Sequence, residues 1–441
     1  MKVKRFMQWD GLRSSLWFIP SLMVASAIAM SFLTIALDEG DRKWLETFGW
    51  AYTRGADGAR AILSSVAGSM ITVATTAFSI VIVALQLASG QFGPRLLRQF
   101  MRDTGNQIVL GTFIATFIYC LLVLRTINAQ EDSFVPHLSV TFAIGLALAS
   151  IVVLIYFIHH AAQSIQAQHV IAQVGDELNQ TIDNLFPKKI GRAAPNHNQT
   201  NIPANFEANF EREANPIRVS RSGYIQVIDD EELMKIATQS NIIVRLNHRP
   251  GDFIVQGSDL AIVYPGERVN KKLYKKINSA FSFGKQRTQQ QNVKFSIVQL
   301  VEIAVRALSP GINDPFTAIQ CIDGLSVGLC HLAEREIPSP YRYDEDNKLR
   351  VIAYPVTFEE MTDAAFNQIR QYGQSSVAVL IRLLEAIALI ATYTHNKTDR
   401  AALLRHAQMI ERASHEAVSE EWDIKDIEEQ YQAAVRALEY K

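Results

Sequence analysis

The first third of the chain is a series of long apolar runs separated by short polar stretches, and that pattern ends near residue 160. Four runs, 16–37, 62–87, 108–124 and 138–158, contain no Asp, Glu, Lys or Arg. A helix rises about 1.5 Å per residue and the hydrocarbon core of a bilayer is about 30 Å thick, so the first run is long enough to span, and the shortest, 108–124, lies at the lower end of spanning lengths. The first run follows Lys2, Lys4, Arg5 and Arg13. It exceeds the length of a signal-peptide core and lacks a small-residue cleavage site, so it reads as a retained span.

Basic residues set the orientation. They precede the first span, lie between the second and third as Arg95, Arg98 and Arg102, and follow the fourth as Lys188, Lys189 and Arg192. The loop before the fourth span holds only Arg125 beside Glu131 and Asp132. Positive-inside counting puts both termini in the cytoplasm.

Beyond the spans the period changes. Residues 166–219 read as a helical exit and a linker, with Pro and Asn scattered through 187–219 and no apolar period. Residues 220–266 alternate as short strands with turns at 249–252 and 256–259, giving a small β module. That stretch resembles the barrel-sandwich hybrid domains of biotinyl and lipoyl carriers. Its tips, "HRPGD" and "QGSD", lack the carrier lysine, so the resemblance implies a β module without the carrier role. Residues 267–441 are mainly helical, and the apolar stretch at 387–391 sits in a polar pattern, as a core or oligomer helix would. The expected fold class is a multi-pass α-helical membrane protein, with four transmembrane helices in 1–165 and a cytoplasmic α+β domain.

Composition narrows the function. The formal charge is −1, which gives no electrostatic case for nucleic acid. The three cysteines show no metal-ligand spacing and read as buried small hydrophobes in a reducing compartment. Neither a nucleophile–base series nor a phosphate loop, dinucleotide fingerprint or zinc motif occurs, so no enzymatic role, cofactor or metal is expected.

The second run carries an unusual pattern, "SSVAGSMITVATTAFS" at 64–79. Ser65, Ser69, Thr72, Thr76 and Ser79 are spaced 4, 3, 4, 3 and form one stripe on a helix, with Gln86 beside it. Two accounts fit. Small hydroxyl residues let helices pack closely and bond back to the i−4 carbonyl. Alternatively the stripe faces water in an oligomer, where hydroxyls replace part of an ion's hydration shell. The segment after it, with Arg95, Arg98 and Arg102 on one face, reads as an interfacial helix, bent away from the span by Gly90, Gly93 and Pro94.

Two further constellations stand out. His159 and His160 are adjacent, so they face about 100° apart on a helix; interfacial packing or a proton-sensitive contact suits them better than a shared metal. In "RALSPGINDPFTA", Asp314 is a suitable N-cap and Pro315 suits a first helical turn, which makes a rigid corner between two helices. The alternative is a polar ligand pocket of Arg306, Asn313 and Asp314 with Arg287 and Gln291.

The stretches "GADGARAILSSVAGSMITV", "ALQLASGQFGPRLLRQFMRDTGNQIVLGTFIATFIYCLLVLRT", "FIHHAAQSIQ" and "RALSPGINDPFTAIQC" resemble the bacterial predicted membrane proteins of the domain-of-unknown-function family numbered 2254. The resemblance implies a multi-pass inner-membrane protein with a cytoplasmic body and supplies no reaction. The expectation is an oligomeric, channel-like protein whose partners are the lipid bilayer and further copies of itself, with no nucleic acid and the ion or ligand open. The alternative is a membrane-anchored sensor or scaffold whose cytoplasmic domain binds a ligand or protein.

Overall fold

A computed structural model describes residues 15–39, 52, 55–93, 103–127, 134–164, 166–186 and 206–439. The chain divides into two compact units, one reaching Val170 and one beginning at Ile171.

The N-terminal unit holds α1 (Phe18–Asp38), α2 (Ala56–Phe92), α3 (Thr104–Leu124) and α4 (His137–Ser164). Helix α3 packs on each of the other three. Half of its most apolar window is buried, against 17% of that of α1 and 22% of those of α2 and α4. Gly111 lets α1 approach, since a Cβ there would lie 3.2 Å from Pro20 Cα. The α2 residues Ala59, Leu63 and Ala67 pack around Tyr119, Cys120 and Val123. One turn further, Met70, Ala74, Ala77 and Val81 meet Val109, Phe113 and Phe157.

Polar contacts pin this unit at one end. Helix α4 begins after Pro136, which has no capping side chain. The carboxylate of Asp38, at the end of α1, does the capping. It accepts from Leu138 N at 2.8 Å, Ser139 N at 2.9 Å and Ser139 Oγ at 2.7 Å, and it is buried. Beside it Tyr119, fully buried, shares a hydrogen bond with Thr34 Oγ1 at 2.8 Å and donates to Ser139 O at 3.2 Å.

The C-terminal unit opens on α5 (Ala167–Leu185), whose first residues belong to the N-terminal unit, and α6 (Phe206–Glu213). Strands β1 (Asn215–Arg218), β3 (Ile243–Leu246), β5 (Asp259–Tyr264), β7 (Tyr341–Tyr343) and β8 (Leu349–Ile352) form one sheet, ordered β1-β5-β3-β8-β7. All its pairs are antiparallel except β3 with β8. Strands β2 (Gly223–Ile228), β4 (Phe253–Ile254) and β6 (Phe281–Gly284) form a second, antiparallel sheet. Helices α7 (Asp230–Ser240) and α8 (Lys271–Ser279) contribute Leu233, Ile236, Leu273 and Ile277 to a core shared with both sheets. The β structure therefore extends beyond 220–266 on both sides, and its two sheets with packed helices are not a barrel-sandwich hybrid. A helical bundle completes the unit: α9 (Val293–Ala307), α10 (Pro315–Ala333), α11 (Phe358–Tyr372), α12 (Val377–Tyr393), α13 (Lys397–Ala417) and α14 (Glu421–Glu439).

Five described helices, not four, are long and apolar enough to cross a membrane: α1 to α4 and α10. Helix α10 is apolar around much of its circumference because neighbours lie on several sides. Leu325 and Leu329 are buried, and Gly328 has no room for a Cβ against Leu178 of α5. A helix in the middle of a bundle and a span share that composition.

Replacing Asp38 by Ala leaves the first turn of α4 without three hydrogen bonds. The expected loss is about 1–3 kcal/mol, read as a lower unfolding midpoint of the detergent-solubilised chain. Ser139→Ala removes one bond of the three and should cost less; equal midpoints for D38A and wild type would refute the capping role.

Candidate functional site

Helix α2 has two different long faces. Its packing face is small and apolar, and opposite it stand Ser65, Ser69, Thr72, Thr76, Ser79 and Gln86, all exposed. Four hydroxyls of the stripe turn back on the helix. Ser69 donates to Ser65 O at 2.7 Å, Thr72 to Gly68 O at 2.9 Å, Thr76 to Thr72 O at 3.0 Å and Ser79 to Thr75 O at 2.9 Å. Thr75, beside the stripe, does the same to Ile71 O. Each hydroxyl hydrogen is thereby used inside the helix, and the oxygen keeps lone-pair capacity for an outside donor. A separate sector of the exposed face carries Ile71, Phe78 and Ile82, and beyond Ser79 the side of the stripe itself exposes Ile80, Val83 and Leu87.

The helix runs on through Gly90, so the bend expected there is absent; the break comes at Gly93, whose φ of 97° suits glycine. Arg95, Arg98 and Arg102 lie outside the described residues, as does Pro94.

His160 meets Asp103, a partner that sequence reading missed. Its Nε2 is 2.5 Å from Asp103 Oδ2, and its ring stacks on Tyr156 with centroids 5.3 Å apart. Asp103 also caps α3 through Gly105 N at 2.9 Å. Gly105 makes the approach possible, because a Cβ would fall 2.8 Å from His160 Nε2. Aspartate just ahead of an apolar run is a capping signal, yet nothing local marks His160 as its partner 57 residues later. Among the described residues, no group of three or more His, Cys, Asp or Glu is arranged to hold a metal.

The "RALSPGINDPFTA" corner is built as its local chemistry dictates. Asn313 takes a left-handed conformation with φ of 48°. Asp314 accepts from Thr317 N at 3.1 Å and from Thr317 Oγ1 at 2.6 Å, with Pro315 in the first turn of α10. The five residues weighed for a polar pocket do different things. Arg287 lies over the Tyr224 ring at 5.4 Å. Gln291 spans a backbone site like a peptide, accepting from Ile228 N at 3.0 Å and donating to Ile228 O at 3.1 Å. Arg306 ends α9, and its carbonyl accepts from the Ser309 hydroxyl. Gln291 lines a cavity of this unit; Arg287, Arg306, Asn313 and Asp314 do not.

That cavity, of about 620 Å³, lies between α7, the 247–250 loop and the end of β8. Leu233, Met234, Leu246 and Val351 give it an apolar floor, while Asp230, Arg249 and Arg342 stand among its polar groups. Burial pushes the Arg342 guanidinium down from its ordinary value, opposed by the charge of Asp230. In the bundle, His406 is fully buried against Asp363 at 2.8 Å, and burial lowers its pKa.

The Thr317 hydroxyl, with backbone N–H groups, holds the Asp314 carboxyl below its usual range. A depressed folded-state pKa means stability that is present above the unfolded value, near 4, and lost as pH falls through the folded one. Asp314→Ala should cost about 1 kcal/mol at neutral pH, with Asp314→Asn closer to wild type, and the D314A deficit should shrink in acid. A D314A midpoint equal to wild type at pH 7 would exclude the cap.

The sequence matches the family described as "Predicted membrane protein (DUF2254)" over residues 13–389. An uncharacterised protein of Mycobacterium bovis is 31% identical over 425 residues, covering 94% of this chain and 79% of that protein. An uncharacterised protein of Mycobacterium tuberculosis H37Rv shows the same identity and coverage. No solved structure matches. The family match takes in α1 to α4, both sheets and the bundle as far as α12, and the chain belongs to the DUF2254 family of predicted membrane proteins.

Proposed function

We propose that the protein is an oligomeric, channel-like protein of the bacterial inner membrane, in which α1 to α4 span the bilayer and the hydroxyl stripe of α2 faces a water path. The observation that carries this reading is a contrast between outward faces. Helix α1 turns Leu22, Phe32 and Leu33 outward, and α4 turns out Leu148, Val152 and Ile155, as lipid requires. From Ser65 to Ser79 helix α2 turns hydroxyls outward beside an apolar sector of Ile71 and Phe78, and only beyond them does it turn out Ile80, Ile82, Val83 and Leu87 as the other helices do. Two outward sectors of unlike chemistry call for two unlike neighbours, and a second copy around a shared axis supplies the other. The stripe covers about 21 Å along the helix at 1.5 Å per residue. Without acid or base, it suits passive passage better than proton-coupled pumping.

In this reading α10 is a bundle helix rather than a fifth span, since Asp323 on it pairs with Arg382 of α12 at 2.5 Å. Both termini are cytoplasmic, on the positive-inside count. A membrane-anchored sensor is the second reading, and the cavity between α7 and β8 is what favours it.

Single cysteines test the path, in a chain with Cys120, Cys321 and Cys330 replaced. Charged thiol reagents should modify positions 69, 72, 76 and 79 in proteoliposomes and alter ion flux. They should spare 70 and 77, which face the protomer's own core. Stripe positions inert with and without tension or voltage, with no flux, would reduce the stripe to a packing surface. For orientation, Ser133→Cys should react from outside the cell and Ser222→Cys only after permeabilisation; the reverse would overturn the topology.

A further inference from the structure

The cavity between α7, the 247–250 loop and β8 holds Arg342, which feels the charge of Asp230 but makes no ion-pair contact with a carboxylate among the described residues. Three of its other polar groups have partners. Arg249 Nη1 lies 2.7 Å from Glu360 Oε2, His248 is 3.8 Å from Asp252, and Gln291 is held by the Ile228 backbone. Arg342, half-buried on the edge strand β7, donates from Nη1 to the carbonyls of Ser339 and Tyr341. Among the described residues no carboxylate lies in ion-pair contact with it. A guanidinium carries five N–H donors in a planar fork, so its second nitrogen remains able to grip an anion.

The surroundings set the rest of the ligand. Leu233, Met234, Leu246 and Val351 line an apolar space of about 620 Å³, within the size range of small-molecule pockets. Asp230 and Glu231 also border it, but they are exposed in the first turn of α7. There the helix N-terminus already offsets their charge and water screens it. Arg342 is partly stripped of water, so an anion beside it is held more strongly than a cation beside the exposed acids.

We propose that this cavity binds a small amphipathic anion, with its carboxylate paired to Arg342 and its apolar body on Leu233, Met234, Leu246 and Val351. The proposal rests on the sensor reading and names the chemistry of its ligand; the path along α2 does not depend on it.

Three probes of one shape and different head charge test it: 4-phenylbutyrate, 4-phenylbutan-1-ol and 4-phenylbutylamine, titrated by calorimetry against the full chain in nanodiscs. The acid should bind about tenfold more tightly than the alcohol, as expected for a charge-assisted pair worth more than a neutral hydrogen bond, and the amine most weakly. Arg342→Gln should erase the preference of acid over alcohol while leaving alcohol binding in place. Arg342→Lys should restore part of it. Val351→Trp, which fills the cavity, should abolish binding of all three. Amine binding as tight as the acid would overturn the anion assignment and leave a ligand cavity governed by Asp230 and Glu231. An unchanged preference in R342Q would also overturn it. No binding by any probe would end both the proposal and the sensor reading.

Discussion

The N-terminal unit depends on one carboxylate. A helix start in or near lipid exposes backbone N–H groups that water does not satisfy, and each unsatisfied group is costly. Helix α4 starts on Pro136, which has no side chain able to cap it, and Asp38 reaches across from α1 to do so with both oxygens. The same contact fixes the end of α1, and Tyr119 ties the pair to α3 through Thr34 and the Ser139 carbonyl. Three helices are thus joined at one polar point, buried at one end of an otherwise apolar bundle. At the other end Asp103 caps α3 and holds His160 of α4. Between these two polar ties the helices are free to meet through small residues, and α3 becomes the shared neighbour of the other three.

The C-terminal unit is held by a different logic, in which distant segments complete one another. Strand β8 pairs in parallel with β3 across a hundred residues of sequence, and Arg350 on it bonds Asn241 Oδ1 at 2.8 Å and Asp344 at 2.6 Å. Gln291, in a left-handed conformation, continues the hydrogen bonding of β2 where the strand ends. The cavity forms where α7, β8 and the 247–250 loop converge. The Arg249–Glu360 bridge ties that loop to α11.

What was legible in the sequence was local. The apolar runs at 16–37, 62–87, 108–124 and 138–158 became α1 to α4, because spanning length and absence of charge are properties of consecutive residues. Asp314 followed by Pro315 predicted a helix start, and the start is there. What was not legible was non-local. "YRY" and "LRVI" are too short to show alternation, and what makes them strands is non-local: β8 pairs with β3, and β7 with β8. Helix α10 meets the composition of a span because bundle burial and lipid burial select the same residues. Asp38, His160 and Arg342 carry no local mark, since each owes its role to a partner or neighbour far along the chain.

The hydroxyl stripe is the feature whose energetics are least neutral. Ser and Thr are poorer helix formers than Leu or Ala, and back-bonding to the i−4 carbonyl slightly weakens the helix bond that it shares. On a face that meets only lipid, larger apolar side chains would give more contact at no such cost, as the outward faces of α1 and α4 do. On a face that packs inside the protomer, the hydroxyls would be buried, but the buried face of α2 is made of Ala, Leu, Met and Val instead. The stripe therefore gains nothing from its own protomer. Back-bonding lets Ser69, Thr72, Thr76 and Ser79 sit against lipid without an unsatisfied donor, so a single protomer tolerates them. The residual acceptors become useful only when a donor arrives from outside the chain, from water, a hydrated ion or a neighbouring helix. A face that is tolerated alone and useful only in company is the physical ground for reading α2 as the helix that meets other copies.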